Sequence, residues 1–192
     1  MARSKEFNDD TAVRAARDVF WRRGYASTSL SQLQQATGLN KSSLYQSYGS
    51  KRGLFERALG SYLDEVIEPL LHDLEAPGAG SAELAAYFES LARLFRTAPP
   101  QVADRGCLLL NTAMELNDLD ADAAKAVAAY RGRVRAAFLG AIRATAVYAA
   151  EAERRADTLT ASQIGMMVTS RLDPATAAAL ADILAAEARS TA

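Results

Sequence analysis

Residues 29–51, SLSQLQQATGLNKSSLYQSYGSK, constrain this chain more than any other stretch, because their local signals leave room for little except two short helices around a tight turn. Ser29 followed by Gln32 forms a capping box. The serine oxygen can accept from the backbone N–H three residues on, while the glutamine reaches back to the cap. Leu30, Leu33 and Ala36 then recur at helical spacing, and Gly38 follows Thr37 where a left-handed residue ends a helix at little cost. Leu39 reads as an apolar pin turned inward. Asn40 is a good N-cap for a second helix running to about Tyr48, with Leu44 as its core residue and Tyr48 as a second anchor.

The second of these helices is too polar to be a core element. It carries Lys41, Ser42, Ser43, Tyr45, Gln46 and Ser47, a set rich in hydrogen-bond donors. Lysine, serine and tyrosine side chains, with the free N–H groups of a helix N-terminus, suit phosphate oxygens, and a glutamine can pair with an adenine edge. The pattern therefore predicts a recognition helix lying in a DNA major groove. A solvated helical hairpin with no ligand satisfies the same local signals.

Charge distribution favours the first alternative. The net charge is only −1, yet residues 1–60 hold ten Lys/Arg against five Asp/Glu, and the rest hold twelve against eighteen. A basic front end on an acidic body fits a polyanionic partner at one end only. The 192 residues are 49% hydrophobic and 23% charged, with abundant alanine and little glycine or proline, which predicts an all-α protein with a well-buried core. Cys107 is the single cysteine, so no intrachain disulfide forms. A polar N-terminus without a signal peptide, and the lack of any apolar run near 18 residues, predict a cytoplasmic location. No Gly-rich phosphate loop, nucleophile elbow or acidic cluster points to an enzyme, and the single histidine, His72, argues against a metal site. No cofactor is expected.

Helical stripes extend along the chain. The first helix spans about Asp9–Arg23, with Ala12, Ala16, Val19 and Phe20 on one face and Gly24 closing it. A long amphipathic helix over 51–74 connects front end to body, and Pro69 predicts a kink or break near Glu65. Residues 76–80 read as a linker. A further helix runs from Ser81 to before Pro99, and the apolar run 106–114 predicts a buried helix. Others are expected over 122–145, 160–171 and 174–188, where Pro174 suits a first turn. The last two carry apolar residues on more than one side, which predicts a second chain packed against them.

Residues 12–59 resemble the DNA-binding domain of TetR-type (TetR/AcrR) transcriptional regulators. The shared features are Ala15-Ala16, Val19-Phe20, Gly24-Tyr25, Thr28-Ser29-Leu30, Ala36-Thr37-Gly38-Leu39, Lys41-Ser42-Ser43-Leu44-Tyr45 and Ser50-Lys51. The resemblance implies an all-α protein of about nine helices: a helix-turn-helix DNA-binding domain over 1–50 and a ligand-binding and dimerisation domain over 51–192. It further implies a homodimer on a palindromic double-stranded operator, repressing until a small-molecule effector releases it. The family's DNA contacts carry over onto Thr28, Ser29, Lys41, Ser42, Ser43, Tyr45, Gln46, Tyr48 and Lys51. Gln46-Ser47 and Gly53 depart from the family's usual residues. The segment RGCLLLNTAMEL resembles one branch of the family, some of whose members sense electrophiles or oxidants through cysteine.

An effector cavity is expected to draw on Tyr62, Phe88, Cys107, Asn111, Met114, Phe138 and Met166, with Phe95 and Tyr130 as further aromatic candidates. Cys107 opens a helix beside Arg105, which favours a reactive thiol, but it also borders an apolar run, which favours a core residue. The effector is expected to be apolar or electrophilic. An architectural DNA-binding protein without a ligand uses the same front end, and a helical module whose basic face is incidental shares its composition.

Overall fold

The computed structural model describes residues 8–99, 102, 105–145 and 151–190. Among the described residues the secondary structure is all helical, in nine helices when the consecutive pieces of 51–71 count as one, with a further 3-10 turn at Leu116–Asp118. The front end comprises α1 (Asp9–Arg23), α2 (Leu30–Thr37) and α3 (Lys41–Tyr48). Each begins on a side-chain cap, and those of α2 and α3 are the ones the sequence prescribes. Asn8 accepts from Thr11 N at the head of α1, the Ser29/Gln32 capping box opens α2, and Asn40 accepts from Ser43 N to open α3. Gly38 closes α2 with φ 71°. On α2, Leu33 is buried and Leu30 half-buried, while Ala36 faces out because the helix ends one residue later.

The long helix α4 is built from Lys51–Tyr62, a π turn at Leu63–Ile67 and Glu68–Leu71. Pro69 lacks the N–H that would bond the Glu65 carbonyl, and the ladder widens just before it: Glu68 N donates to Leu63 O, five residues back. The break expected near Glu65 is thus realised as a π turn within a continuous helix. The body continues with α5 (Ser81–Thr97), α6 (Leu108–Ala113), α7 (Ala121–Arg143), α8 (Ala152–Thr169) and α9 (Pro174–Ser190). No described helix is long and apolar enough to cross a membrane.

Two expectations need correction. The helix placed at 160–171 begins at Ala152, eight residues earlier than its stripe suggested, because Glu151 makes no side-chain cap and the start carries no capping signal. Its first turns bury only Ala152, Ala156 and Leu159. The apolar run 106–114 is helical over Leu108–Ala113 alone, and Met114 at its end is 86% exposed.

Packing assembles these pieces by apolar contact, with ion pairs at the margins. Phe20 and Phe55 meet edge to face at 4.9 Å, joining α1 to α4. In the body, α9 lies along α5 and buries Ala177, Ala178, Ala181, Ala185 and Ala188, and the pairs Arg96 with Asp182 and Arg189 with Glu89 bridge the two helices. Arg133 on α7 reaches Glu68 and Glu75, each at 2.6 Å, and Arg135 reaches Asp157 at 2.6 Å and Glu153 at 2.7 Å on α8.

Gly53, a departure from the resembled family, has a steric reason. A Cβ there would run into the Tyr48 carbonyl oxygen, where the chain folds back from α3 into α4. Gly60, seven residues along the same helix, has open space around it. Gly53→Ala should therefore lower stability by about 1–3 kcal/mol through overpacking. Gly60→Ala should raise it by about 0.5–1 kcal/mol through lost unfolded-state entropy. Denaturant unfolding of the two variants measures the opposite signs.

Candidate DNA-binding face and effector cavity

The front end holds α3 by its inner side. Leu44 is buried, and the Tyr48 hydroxyl donates to Asp9 Oδ1 at 2.7 Å while Asp9 Oδ2 takes Arg57 at 2.7 Å. Burial, and then the bond to Asp9, push the Tyr48 phenol well above its ordinary pKa, so it stays protonated and donating. Thr28 is buried and donates to the Gly24 carbonyl at 2.6 Å. Lys51 holds its ammonium 4.4 Å above the Tyr25 ring, and burial lowers its pKa. Ser29 is exposed, with its hydroxyl capping α2, and Ser43 is half-buried.

What remains faces outward as one patch. Lys41, Ser42, Tyr45, Gln46 and Ser47 are exposed on α3. Lys41 lies 5.9 Å from the Tyr45 ring centre one turn on. Of the nine residues assigned to DNA, Thr28, Tyr48 and Lys51 are engaged within the protein, and Lys41, Ser42, Tyr45 and Gln46 are the ones presented with side chains available.

The end of α1 is bound to the body along a seam of directed contacts. Tyr25 N donates to Glu115 Oε2 at 2.6 Å, and Gly24, at φ 81°, leaves the space that this carboxylate occupies, since a Cβ there would overlap it. Trp21 Nε1 donates to the Gly106 carbonyl at 3.0 Å. Asn111 Nδ2 donates to Arg105 O at 2.8 Å and to Trp21 O at 3.5 Å, and its Oδ1 accepts from Arg171 at 3.2 Å. Further along, Arg52 grips Asp120 through two bonds of 2.8 and 2.7 Å, and Asp120 also caps α7 by accepting from Asp122 N and Ala123 N.

Behind the seam lies an apolar cavity of about 110 Å³. Trp21 of α1 forms one wall, Tyr62, Val66 and Ile67 of α4 a second, and Leu91 and Phe95 of α5 a third. Cys107, Tyr130 and Met167 also line it. At the inner end three phenols cluster around the thiol. Cys107 Sγ donates to the Tyr130 oxygen at 3.7 Å, and Gln163 Nε2 donates to the same oxygen at 3.4 Å. Burial is the main cause that raises the pKa values of Tyr62, Tyr87 and Tyr130, so all three are neutral at physiological pH. The buried Tyr87 hydroxyl has no hydrogen-bond partner among the described residues.

The residues assigned to the cavity divide accordingly. Tyr62 and Cys107 line it. Phe88, Phe138 and Met166 are completely buried in the neighbouring core, where Phe88 and Phe138 stack at 5.6 Å. Asn111 serves the seam and Met114 points to solvent. Sequence reasoning missed Trp21 as a cavity residue. Its signal was present: an indole in α1 that falls off the stripe of Ala12, Ala16, Val19 and Phe20.

The seam has a defined acid limit. Arg52, followed by the backbone N–H groups of α7, holds the Asp120 carboxyl at about 2. A folded pKa below the ordinary value of roughly 3.9 means that this contribution is complete above about pH 4 and is lost as pH falls through about 2. Asp120→Asn keeps an α7 cap but loses the ion pair. The gap in unfolding temperature between wild type and this variant should stay constant from neutral pH to about pH 4 and shrink below it. Thermal melts across pH check this.

Comparison with known proteins matches residues 12–58 to the family model of bacterial regulatory proteins, tetR family. Over 115 residues the chain is 36% identical to YezE, an uncharacterized HTH-type transcriptional regulator of Bacillus subtilis, covering 60% of this chain and 58% of YezE. Over 124 residues it is 34% identical to ComR, an HTH-type transcriptional repressor of Escherichia coli, covering 64% of this chain and 57% of ComR. Each match thus spans less than two thirds of the relative's length. A cysteine mutant of the TetR family transcriptional regulator CifR, complexed with 26bp double-strand operator DNA, superposes with a TM-score of 0.73 at 26% identity, covering 96% of this chain and 98% of CifR. Residues 12–58 thus match the DNA-binding domain of the tetR family, and the chain is similar in fold to TetR-family transcriptional regulators.

Proposed function

We propose that this protein is a DNA-binding transcriptional repressor, acting as a homodimer on a palindromic operator and released by a small apolar or electrophilic effector. The observation that carries the reading is the outward face of α3. Its Lys41, Ser42, Tyr45 and Gln46 are exposed at the surface, while the neighbouring Thr28 and Tyr48 hydroxyls are tied down within the unit. A rigid helix offering a cation, hydroxyls and one amide matches the division between phosphate positioning and base readout. The operator-bound CifR structure supports that role for the same part of the fold.

A second copy of the chain is the expected cover for the far side of α8 and α9. Once α9 has buried its alanines, Leu180 and Ile183 remain 40% and 54% exposed, and Val168 on α8 is 54% exposed. An isologous interface there would set two α3 helices on one face of DNA, as a palindrome requires. Ile183→Asp should give monomers by light scattering and weaken operator binding. A wild type that is monomeric at micromolar concentration removes the dimer.

Binding measured against salt and sequence tests the face itself. Lys41→Ala should weaken all sequences alike and reduce the log–log salt slope by about one, and Gln46→Ala should cost roughly 1–3 kcal/mol at one base pair per half-site. Unchanged sequence ratios in Gln46→Ala would take base reading away from that residue. For the effector, Cys107→Ser discriminates: release by a neutral apolar compound should survive it, and release by an alkylating agent should not.

A further inference from the structure

Trp21 is the one tryptophan of the chain, and it belongs to two places at once. Its backbone lies in the last turns of α1, within the DNA-binding unit, while its indole forms a wall of the body's cavity. The indole meets the Tyr62 ring edge to face at 4.8 Å and donates to Gly106, the residue before Cys107. A molecule in the cavity therefore touches the DNA-binding domain directly, with no intervening element.

The lining also restricts what that molecule is. Among the described residues no charged side chain lines the cavity, so an ionic ligand would have to shed its hydration without a counter-charge from them. The volume, about 110 Å³, is a little below that of an engineered 150 Å³ cavity known to hold benzene. One ring fits with small side-chain shifts, and two do not. Because the Tyr130 oxygen already accepts from Gln163, its own O–H is left to donate to an oxygen on the ligand. The π turn at Leu63–Ile67 forms the wall beside Trp21, a kind of helix defect that recurs at functional sites.

We infer that the cavity binds a neutral single-ring compound bearing one hydroxyl or carbonyl oxygen, held against the Trp21 indole with that oxygen on Tyr130, and that Trp21 carries its occupancy to the DNA-binding domain. The coupling half rests on the effector-controlled reading above; the binding half does not.

Titration of the full-length protein with benzyl alcohol, with benzoate as the charged control, tests both halves. Tryptophan emission reports on Trp21 alone. Benzyl alcohol should change it saturably, with a dissociation constant of about 1 mM, and benzoate should leave it unchanged. Tyr130→Phe should weaken benzyl alcohol about fivefold or more. Absence of a saturable change, equal response to benzoate, or an unshifted midpoint in Tyr130→Phe would overturn the assignment of the ligand. Benzyl alcohol should also lower wild-type operator affinity about tenfold. In Trp21→Phe, checked for native helicity, the ratio of operator affinities without and with benzyl alcohol should fall from about tenfold to near one, whatever its basal affinity. Equal loss of affinity in Trp21→Phe and wild type would overturn the role of Trp21 and leave effector control standing. If benzyl alcohol shifts Trp21 emission yet leaves wild-type operator binding untouched, the coupling is overturned together with effector release through this cavity. Should Trp21→Phe lose its helicity, Trp21→Tyr, which keeps a ring and lacks the bond to Gly106, takes its place under the same criteria.

Discussion

The contact on which the rest depends is the carboxylate of Glu115 against the backbone of Gly24 and Tyr25. A helix C-terminus leaves carbonyls and the following N–H groups to be satisfied, and here the side chain that takes one of those N–H groups comes from the body, 90 residues away in sequence. The glycine is doubly required. It takes up the positive φ that ends α1, and it has no side chain to keep the carboxylate out. Trp21 and Arg52 add two more points, at Gly106 and Asp120. Three contacts spread over one seam fix an orientation, where one would fix only a distance. The position of α3 relative to the body follows from them.

That arrangement explains why the cavity lies where it does. A wall shared between α1, α4, α5 and the turn before α6 cannot be filled by residues of one helix alone, because each helix is held by a different set of partners. The shared space is left apolar, with its polar groups gathered around Cys107 at one end. Filling it changes the terms on which all four elements meet. A two-state response needs a ligand that prefers one arrangement over the other.

Local rules made the front end legible. Caps at Ser29 and Asn40 and the stop at Gly38 depend on neighbours three or four residues away, and sequence displays such signals directly. The true start of α8 at Ala152 was not legible, since alanines and charges without a cap carry no boundary. Cavity lining was legible only in part, for a different reason. Phe88 and Phe138 differ from Phe95 only in which neighbours the fold gives them, and no periodicity separates a residue facing packed atoms from one facing a void. Thr28 and Tyr48 show the same limit on the DNA side: their donors are of the right kind but are already taken by Gly24 and Asp9.

The alanine seam of α9 has a mechanical consequence. Residues 177, 178, 181, 185 and 188 lie buried where α9 packs along α5, with ion pairs bridging the two helices, while Leu91 and Phe95 of the same α5 face the cavity. A methyl group has no rotamer to change, and a close-packed layer of methyl groups barely compresses. Any displacement of α5 by an occupant is therefore not absorbed in the seam by side-chain rearrangement. It passes to α9 as movement of a stiff plate, and so to the exposed Leu180 and Ile183 on the plate's outer surface.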